Sequence, residues 1–124
     1  MGVPVSPKNI FPSNIQGLPT WYEVRVNEDG FLGRRGGVDM AVAVNHQTLF
    51  NDYLEVLPGG YFLYDSTREL SDKFTREDIT TMGIPFTTLC NSEFKNPKLR
   101  QLLRNIIYVG SLSFLLDLDF SILT

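Results

Sequence analysis

Apolar and polar positions alternate first along "TWYEVRV". Tyr22, Val24 and Val26 fall on one face, and Trp21, Glu23 and Arg25 on the other, which is the face expected to be exposed. That period of two predicts a half-exposed strand, followed by a turn at "NEDG" and a loop at "FLGRRGG". The pattern then changes. "MAVAVN" has no polar residue until its end, which predicts a short, central strand buried on both faces, as in a parallel sheet. Leu49, Phe50, Tyr53, Leu54 and Leu57 follow at helical spacing, with Asn45 as a candidate cap and Pro58-Gly59-Gly60 as the stop. "YFLYDS" is a second buried strand. A strand–helix–strand unit with such short connections predicts a right-handed parallel crossover. Charged connecting sequence leads to "ITTMGIP", a third parallel strand ended by proline, and "FTTLCNSEF" holds a short helical piece. Asn96 before Pro97 marks the start of a long helix running to Leu118. Leu99, Leu102, Leu103, Ile106, Ile107, Val109, Leu112 and Leu115 give it a wide apolar face. Gly110 inside that helix costs about 1 kcal/mol against alanine, which predicts close approach to a neighbouring strand or helix. Asp119 is placed to cap a further helix.

The sum is an α/β fold: a Rossmann-like, three-layer domain with a mainly parallel sheet. Residues 1–19 hold four of the seven prolines and predict an irregular, extended arm, with residues 20–124 forming the domain. Doubly wound domains usually open with a strand and a helix, and the first twenty residues supply neither. The sheet is therefore expected to lack its usual first strand and helix. An unpaired sheet edge and an uncovered apolar face follow, so the isolated chain is expected to self-associate or to pair its N-terminal arm into the gap.

Composition sharpens this picture by exclusion. A length of 124 residues, 43% hydrophobic and 20% charged, suits one globular domain. A net charge of -3 argues against a nucleic-acid partner held by a broad basic face. One cysteine, Cys90, cannot supply a disulfide framework or a thiolate-ligated zinc or iron–sulfur site. No signal-peptide pattern is present, and the most apolar stretch, Ile106 to Leu116, is too short and too interrupted for a membrane span. A cytoplasmic location is expected.

Few residues carry candidate chemistry. Arg34 and Arg35, with the backbone of Gly36 and Gly37, offer cations and N–H groups for a phosphate. Phosphate loops of this kind normally lie between a strand and a helix, whereas this one precedes a strand, so a solvated turn is the competing reading. Asn45 and His46 end one predicted parallel strand, and Asp65, Ser66 and Thr67 end the next. Open parallel sheets bind ligands at that edge, although Asn45 and Ser66 are also ordinary cap and turn residues. His46 has no carboxylate partner at recognisable spacing, and Cys90 has only Lys95 nearby. No acid–base pair or nucleophile stands out, so no catalytic residue is assigned. Trp21, Glu23 and Arg25 suit a contact with another subunit or domain, or in the case of the charges a solvated pair.

Five segments together resemble a known family: "FPSNIQGLPTWYEVRVNEDG", "RRGGVDMAVAVN", "PGGYFLYDST", "GIPFTTLCN" and "NIIYVGSLSFLLDLD". Their order and spacing are similar to those of the gamma domain of 2-oxoacid:ferredoxin oxidoreductases, the pyruvate/ketoisovalerate oxidoreductase family. The alpha subunits of 2-oxoglutarate-type enzymes look most alike. The resemblance runs from Phe11 to Leu123. It implies a component of an enzyme that oxidatively decarboxylates a 2-oxoacid such as 2-oxoglutarate on thiamine diphosphate, passes electrons through iron–sulfur clusters to ferredoxin, and releases an acyl-CoA. By this resemblance the domain ligates neither thiamine diphosphate nor a cluster, packs against thiamine-binding domains or subunits, and is associated with CoA handling. Two departures qualify it. The family's opening strand and glycine-rich turn are absent, which predicts a partial gamma domain. "QGL" at Gln16–Leu18 replaces an Arg-Gly-Gly triplet found in many relatives. The alternative reading is a self-standing α/β module that binds a phosphorylated ligand such as CoA or a nucleotide.

Overall fold

The computed structural model describes residues 4–10, 21–31, 33, 35–119 and 121. They belong to two compact units, Met1–Gly36 and Gly37–Thr124.

The first unit is a two-stranded antiparallel sheet of β1 (Val5–Ile10) and β2 (Trp21–Val26), in register from Val5 opposite Val26 to Ile10 opposite Trp21. Residues 5–10 are thus a strand and not irregular arm. Pro7 is tolerated because a strand with a free edge need not offer every N–H to a ladder. Residues 5–10 pair with β2. Most of β2 is exposed on the face opposite to expectation: Tyr22, Val24 and Val26 are exposed, whereas Glu23 and Arg25 are half-buried and only Trp21 of their face is exposed. The Arg25 guanidinium explains its own side of this, since it donates to the carbonyls of Phe31 and Gly33 and closes the following loop.

The second unit is the expected α/β layer structure. β3 (Val38–Ala43), β4 (Val56–Asp65) and β5 (Thr80–Ile84) form a parallel sheet in the order β3-β4-β5. α1 (Leu49–Glu55) links β3 to β4, while α2 (Phe86–Glu93) and α3 (Pro97–Leu115) follow β5. Successive sheet residues point to opposite faces. Ala41, Ala43, Phe62 and Tyr64 pack with Tyr53, Val56, Phe74 and Ile79 on the α1 side. Val42, Leu63, Met82 and Ile84 pack with Phe86, Ile107 and Tyr108 on the α2–α3 side. This is a Rossmann-like three-layer arrangement.

The strand expected to be central is not. β4 has a partner on each side and carries the fully buried Phe62 and Leu63. β3 is an edge strand among the described residues, and only its Ala43 is buried. β4 also starts earlier than the sequence pattern predicts. It runs straight on from α1 and absorbs Pro58-Gly59-Gly60 as an irregularity, so Val38 pairs with Val56 but Met40 with Tyr61. The end of α1 is held from the side by Arg76. Its guanidinium donates to the carbonyls of Tyr53 (3.1 Å) and Val56 (2.7 Å), and its N–H donates to the Tyr53 hydroxyl (2.6 Å). The Tyr53 carbonyl also accepts from the Val56 N–H, so Arg76 adds a second donor at the last turn of α1. α3 starts as predicted, with the Asn96 side chain accepting from the Lys98 N–H at 3.0 Å and Pro97 in the first turn. Beyond its chain neighbours and the nearby turns of its own helix, no described residue lies within 4 Å of where a Gly110 side chain would begin, so the expected close approach is not made among the described residues.

Candidate functional site

A parallel sheet aligns the carboxyl ends of its strands along one edge, and the loops there open a crevice. In this chain the ends of β3 and β4 open a cavity of about 460 Å³. Asn45, His46, Asp65, Arg68, Thr87 and Arg104 line it, with Leu49 and Tyr64 among its apolar walls. The size falls within the range of small-ligand sites.

The local geometry follows from how each loop satisfies its backbone. Asn45 forms a turn: its side-chain oxygen accepts from the Gln47 N–H (3.0 Å) and its carbonyl from the Thr48 N–H (3.2 Å). It therefore acts as a turn residue ahead of α1, with Thr48 at the cap position. On the other wall α2 starts after Pro85, whose side chain has no acceptor for the first-turn N–H groups. The end of β4 supplies what is missing. Asp65 accepts from the Thr87 N–H (3.2 Å) and hydroxyl (2.5 Å) and from the Thr67 N–H (3.1 Å). The Thr67 hydroxyl accepts from the Thr88 N–H (3.2 Å). The positive end of α2 is thus filled by a carboxylate of the chain itself.

Partial burial works against the Asp65 charge, but the hydrogen bonds from Thr87 and Thr67 outweigh it and hold this carboxyl below the usual aspartate value. A depressed folded-state value means that ionised Asp65 stabilises the fold above the unfolded carboxylate pKa and that this contribution disappears as pH falls through the folded one. Asp65→Ala is expected to cost about 1–2 kcal/mol at neutral pH, the range for a lost helix cap. The difference from the parent should shrink towards pH 3, measured by urea unfolding at both pH values.

Arginines provide the positive charge. Arg104, on the inner side of α3, has its Nε atom buried with no hydrogen-bond partner. Arg104 lines this crevice and also a second one lined by Thr87, Asn91 and Arg100. Arg68 contributes from the exposed rim. Tyr108 lies below, its ring 3.9 Å from that of Phe86. Burial and then the nearby Asp65 charge push its phenol up, so it stays neutral.

Of the residues expected from sequence, Asn45, His46, Asp65 and Thr67 meet at this crevice. Ser66 does not line it: its N–H donates to the Ile84 carbonyl (3.0 Å) and extends the β4–β5 ladder. Arg34 lies outside the described residues. Arg35 and Gly36 are exposed in the first unit, and Gly37 opens the second. Trp21 is half exposed, and Cys90 is buried on α2. Arg68, Thr87 and Arg104 were missed, since none sits in a recognisable motif. The only signal was the paired Thr87-Thr88 directly after a strand-ending proline. Among the described residues no group of three or more His, Cys, Asp or Glu is placed to hold a metal ion. The single cysteine of the chain does not fit an iron–sulfur cluster, which needs several thiolates. No helix among the described residues is long and apolar enough to cross a membrane.

Compared with protein families, residues 1–123 match the model described as pyruvate ferredoxin/flavodoxin oxidoreductase. The chain belongs to that family. The pyruvate ferredoxin/flavodoxin oxidoreductase match spans both units, including the strands whose ends form the crevice. It makes the chain part of a pyruvate or 2-oxoacid ferredoxin oxidoreductase, a multi-domain assembly. The comparison with curated proteins gives no match.

Proposed function

We propose that this chain acts as a non-catalytic gamma-type domain of a 2-oxoacid:ferredoxin oxidoreductase, packing on thiamine-binding domains and holding the phosphate groups of CoA at the carboxyl edge of its parallel sheet. The observation that carries the CoA part is Arg104. A guanidinium with a buried, unpartnered Nε is a donor waiting for an acceptor, because leaving such a group unsatisfied costs about 1–3 kcal/mol. Arg68 at the rim adds a second cation, and His46 and Asn45 add polar contacts. Asp65 already occupies the start of α2, so the phosphate is assigned to the arginines and not to the helix end. CoA supplies the acyl acceptor in the assembled enzyme. This chain's residues bind and orient it. Thiamine diphosphate and the clusters belong to other parts of the enzyme, and the substrate is a 2-oxoacid of the pyruvate or 2-oxoglutarate class.

Calorimetric titration with CoA tests the reading. Arg104→Ala is expected to weaken binding about tenfold to a hundredfold, the range for a charge-assisted hydrogen bond, and Arg68→Ala less. If Arg104→Ala binds like the parent while Arg35→Ala does not, the phosphate belongs at the 34–37 loop and the crevice reading fails. Co-expression with the thiamine-binding parts checks the rest: the chain should yield no acyl-CoA alone and should restore its formation when combined with them.

A further inference from the structure

α2 and α3 meet at a second crevice, with a volume of about 390 Å³. Thr87, Cys90, Asn91, Pro97, Arg100 and Arg104 line it. It shares Thr87 and Arg104 with the crevice at the sheet edge, but the two differ in charge. The sheet-edge crevice sets Asp65 and Glu69 against Arg68 and Arg104. Among the described residues, the second crevice has the guanidiniums of Arg100 and Arg104 in its wall and no carboxylate. The surrounding sequence has the same sign. Residues 91–104 hold four of the eleven lysines and arginines of the chain and one of its fourteen acidic residues, although the chain as a whole carries a net charge of -3.

These cations are not neutralised by the fold. Arg100 and Arg104 stand four residues apart on α3, so they share one side of the helix, and like charges at that spacing repel. Neither forms an ion pair with a carboxylate among the described residues. Arg100 is fixed in place by neutral acceptors. Its Nε donates to the Phe94 carbonyl at 2.6 Å, and a terminal nitrogen donates to the Lys95 carbonyl at 3.4 Å. A guanidinium has further N–H donors beyond these. Arg104 has its Nε buried without a partner. Asn91 brings an amide, and Pro97 begins α3 at the positive end of its dipole. The Phe94 carbonyl, at the negative end of α2, is already taken by Arg100. An anion held between the two arginines removes their repulsion and supplies the missing acceptor. Phosphate suits this arrangement, because its oxygens accept from more than one guanidinium fork at once.

We propose that the crevice between α2 and α3 is a second anion site, which takes the phosphate dianion, free or as a small monoester, with Arg100 and Arg104 as its cations. The site lies in a different crevice from the one assigned to CoA, and it does not rest on that assignment.

Proton–nitrogen NMR of the full chain, titrated with inorganic phosphate at constant ionic strength, tests it. Saturable shifts of the Asn91, Arg100 and Arg104 signals are expected, with a dissociation constant of about 0.1–1 mM, and no saturation up to about 20 mM would overturn the proposal. Arg100→Gln is expected to weaken binding at least about tenfold, the loss of a charge-assisted contact. That variant also changes the hold on the Phe94 carbonyl, so Asn91→Asp is the deciding one. Asn91 is exposed on α2, and an aspartate there sets a carboxylate beside the arginines without touching the core. Asn91→Asp should also weaken phosphate about tenfold or more. Arg68→Ala, at the rim of the sheet-edge crevice, should bind phosphate like the parent. The opposite pattern, with Asn91→Asp unchanged and Arg68→Ala weakened, would place the phosphate at the sheet edge and overturn the proposal. Acetate binding as tightly as phosphate would overturn the choice of anion. Glycerol 3-phosphate binding more tightly than inorganic phosphate would support the site and identify a monoester as its occupant, and the reverse order would support it with free phosphate as the occupant.

Discussion

Phe86→Ala is expected to unfold the second unit close to ordinary working temperatures. Phe86 is fully buried and packs with the equally buried Leu63 on β4 and with Tyr108 on α3, ring against ring at 3.9 Å. It is the first residue of α2, so one side chain pins strand, short helix and long helix together. Truncating a buried phenylalanine costs about 3–5 kcal/mol, through lost transfer energy and the cavity left behind. Small domains have about 5–15 kcal/mol in total, so most of the margin disappears. A fall of roughly 15–30 °C in the melting midpoint follows at 4–8 °C per kcal/mol. Far-ultraviolet circular dichroism during heating measures it. Phe86→Leu should lose less than half as much, since it keeps most of the volume. Leu89→Ala, one turn away but 42% exposed, should move the midpoint by only a few degrees. The crevice shares the penalty. Without Phe86 seated, Thr87 has no fixed position over Asp65, and the wall that carries Arg104 loosens. An unchanged midpoint in Phe86→Ala would mean that α2 is not integral to the core.

How much of this could be read from sequence depends on the range over which each contact acts. The runs "MAVAVN" and "YFLYDS", with amphipathic spacing between them, made the parallel strand–helix–strand unit legible, because burial on two faces leaves no polar position to interrupt a run. Asn96-Pro97 made the start of α3 legible, because the cap is satisfied within two residues. The Asp65–Thr87 cap was not legible. It spans twenty-two residues, and Pro85 gives no local sign that α2 borrows its acceptor from β4. Arg104 was hidden for the same reason: on its own helix it is only a polar residue among leucines, and the sheet edge alone gives it a role. The place of β3 at an edge was misread because an apolar run reports faces and says nothing of neighbours. The reversed exposure of β2 shows the same limit, since alternation identifies two faces without naming which one is covered.

Gly60→Ala is the second large effect, and it acts through the sheet and not the core. An ideal Cβ on Gly60 would stand 2.6 Å from the Asp39 carbonyl oxygen and 2.8 Å from that of Leu57. Both are backbone atoms, so no side chain can turn aside. The irregularity that lets β4 take up Pro58-Gly59-Gly60 between Val56 and Tyr61 would have to shift as a whole. Overpacking of a rigid site costs about 1–3 kcal/mol and more where backbone must move, so a loss at or above the top of that range is expected. The neighbour serves as the control. Gly59 has φ +80° with open space around it, so Gly59→Ala carries only left-handed strain of about 1–2 kcal/mol. The ordering of the two, read from urea midpoints, separates steric contact from backbone strain; equal losses would mean that β3 yields easily. Binding should follow the same order. Asn45 and His46 hang from the end of β3, Asp65 and Arg68 from the end of β4, and the pairing of Ala43 with Tyr64 sets the distance between these two lips of the crevice. Sliding β3 along β4 moves one lip against the other. If the crevice holds CoA as proposed, Gly60→Ala should therefore lose affinity for it even at temperatures where it remains folded, while Gly59→Ala, which leaves β3 in place, should keep it.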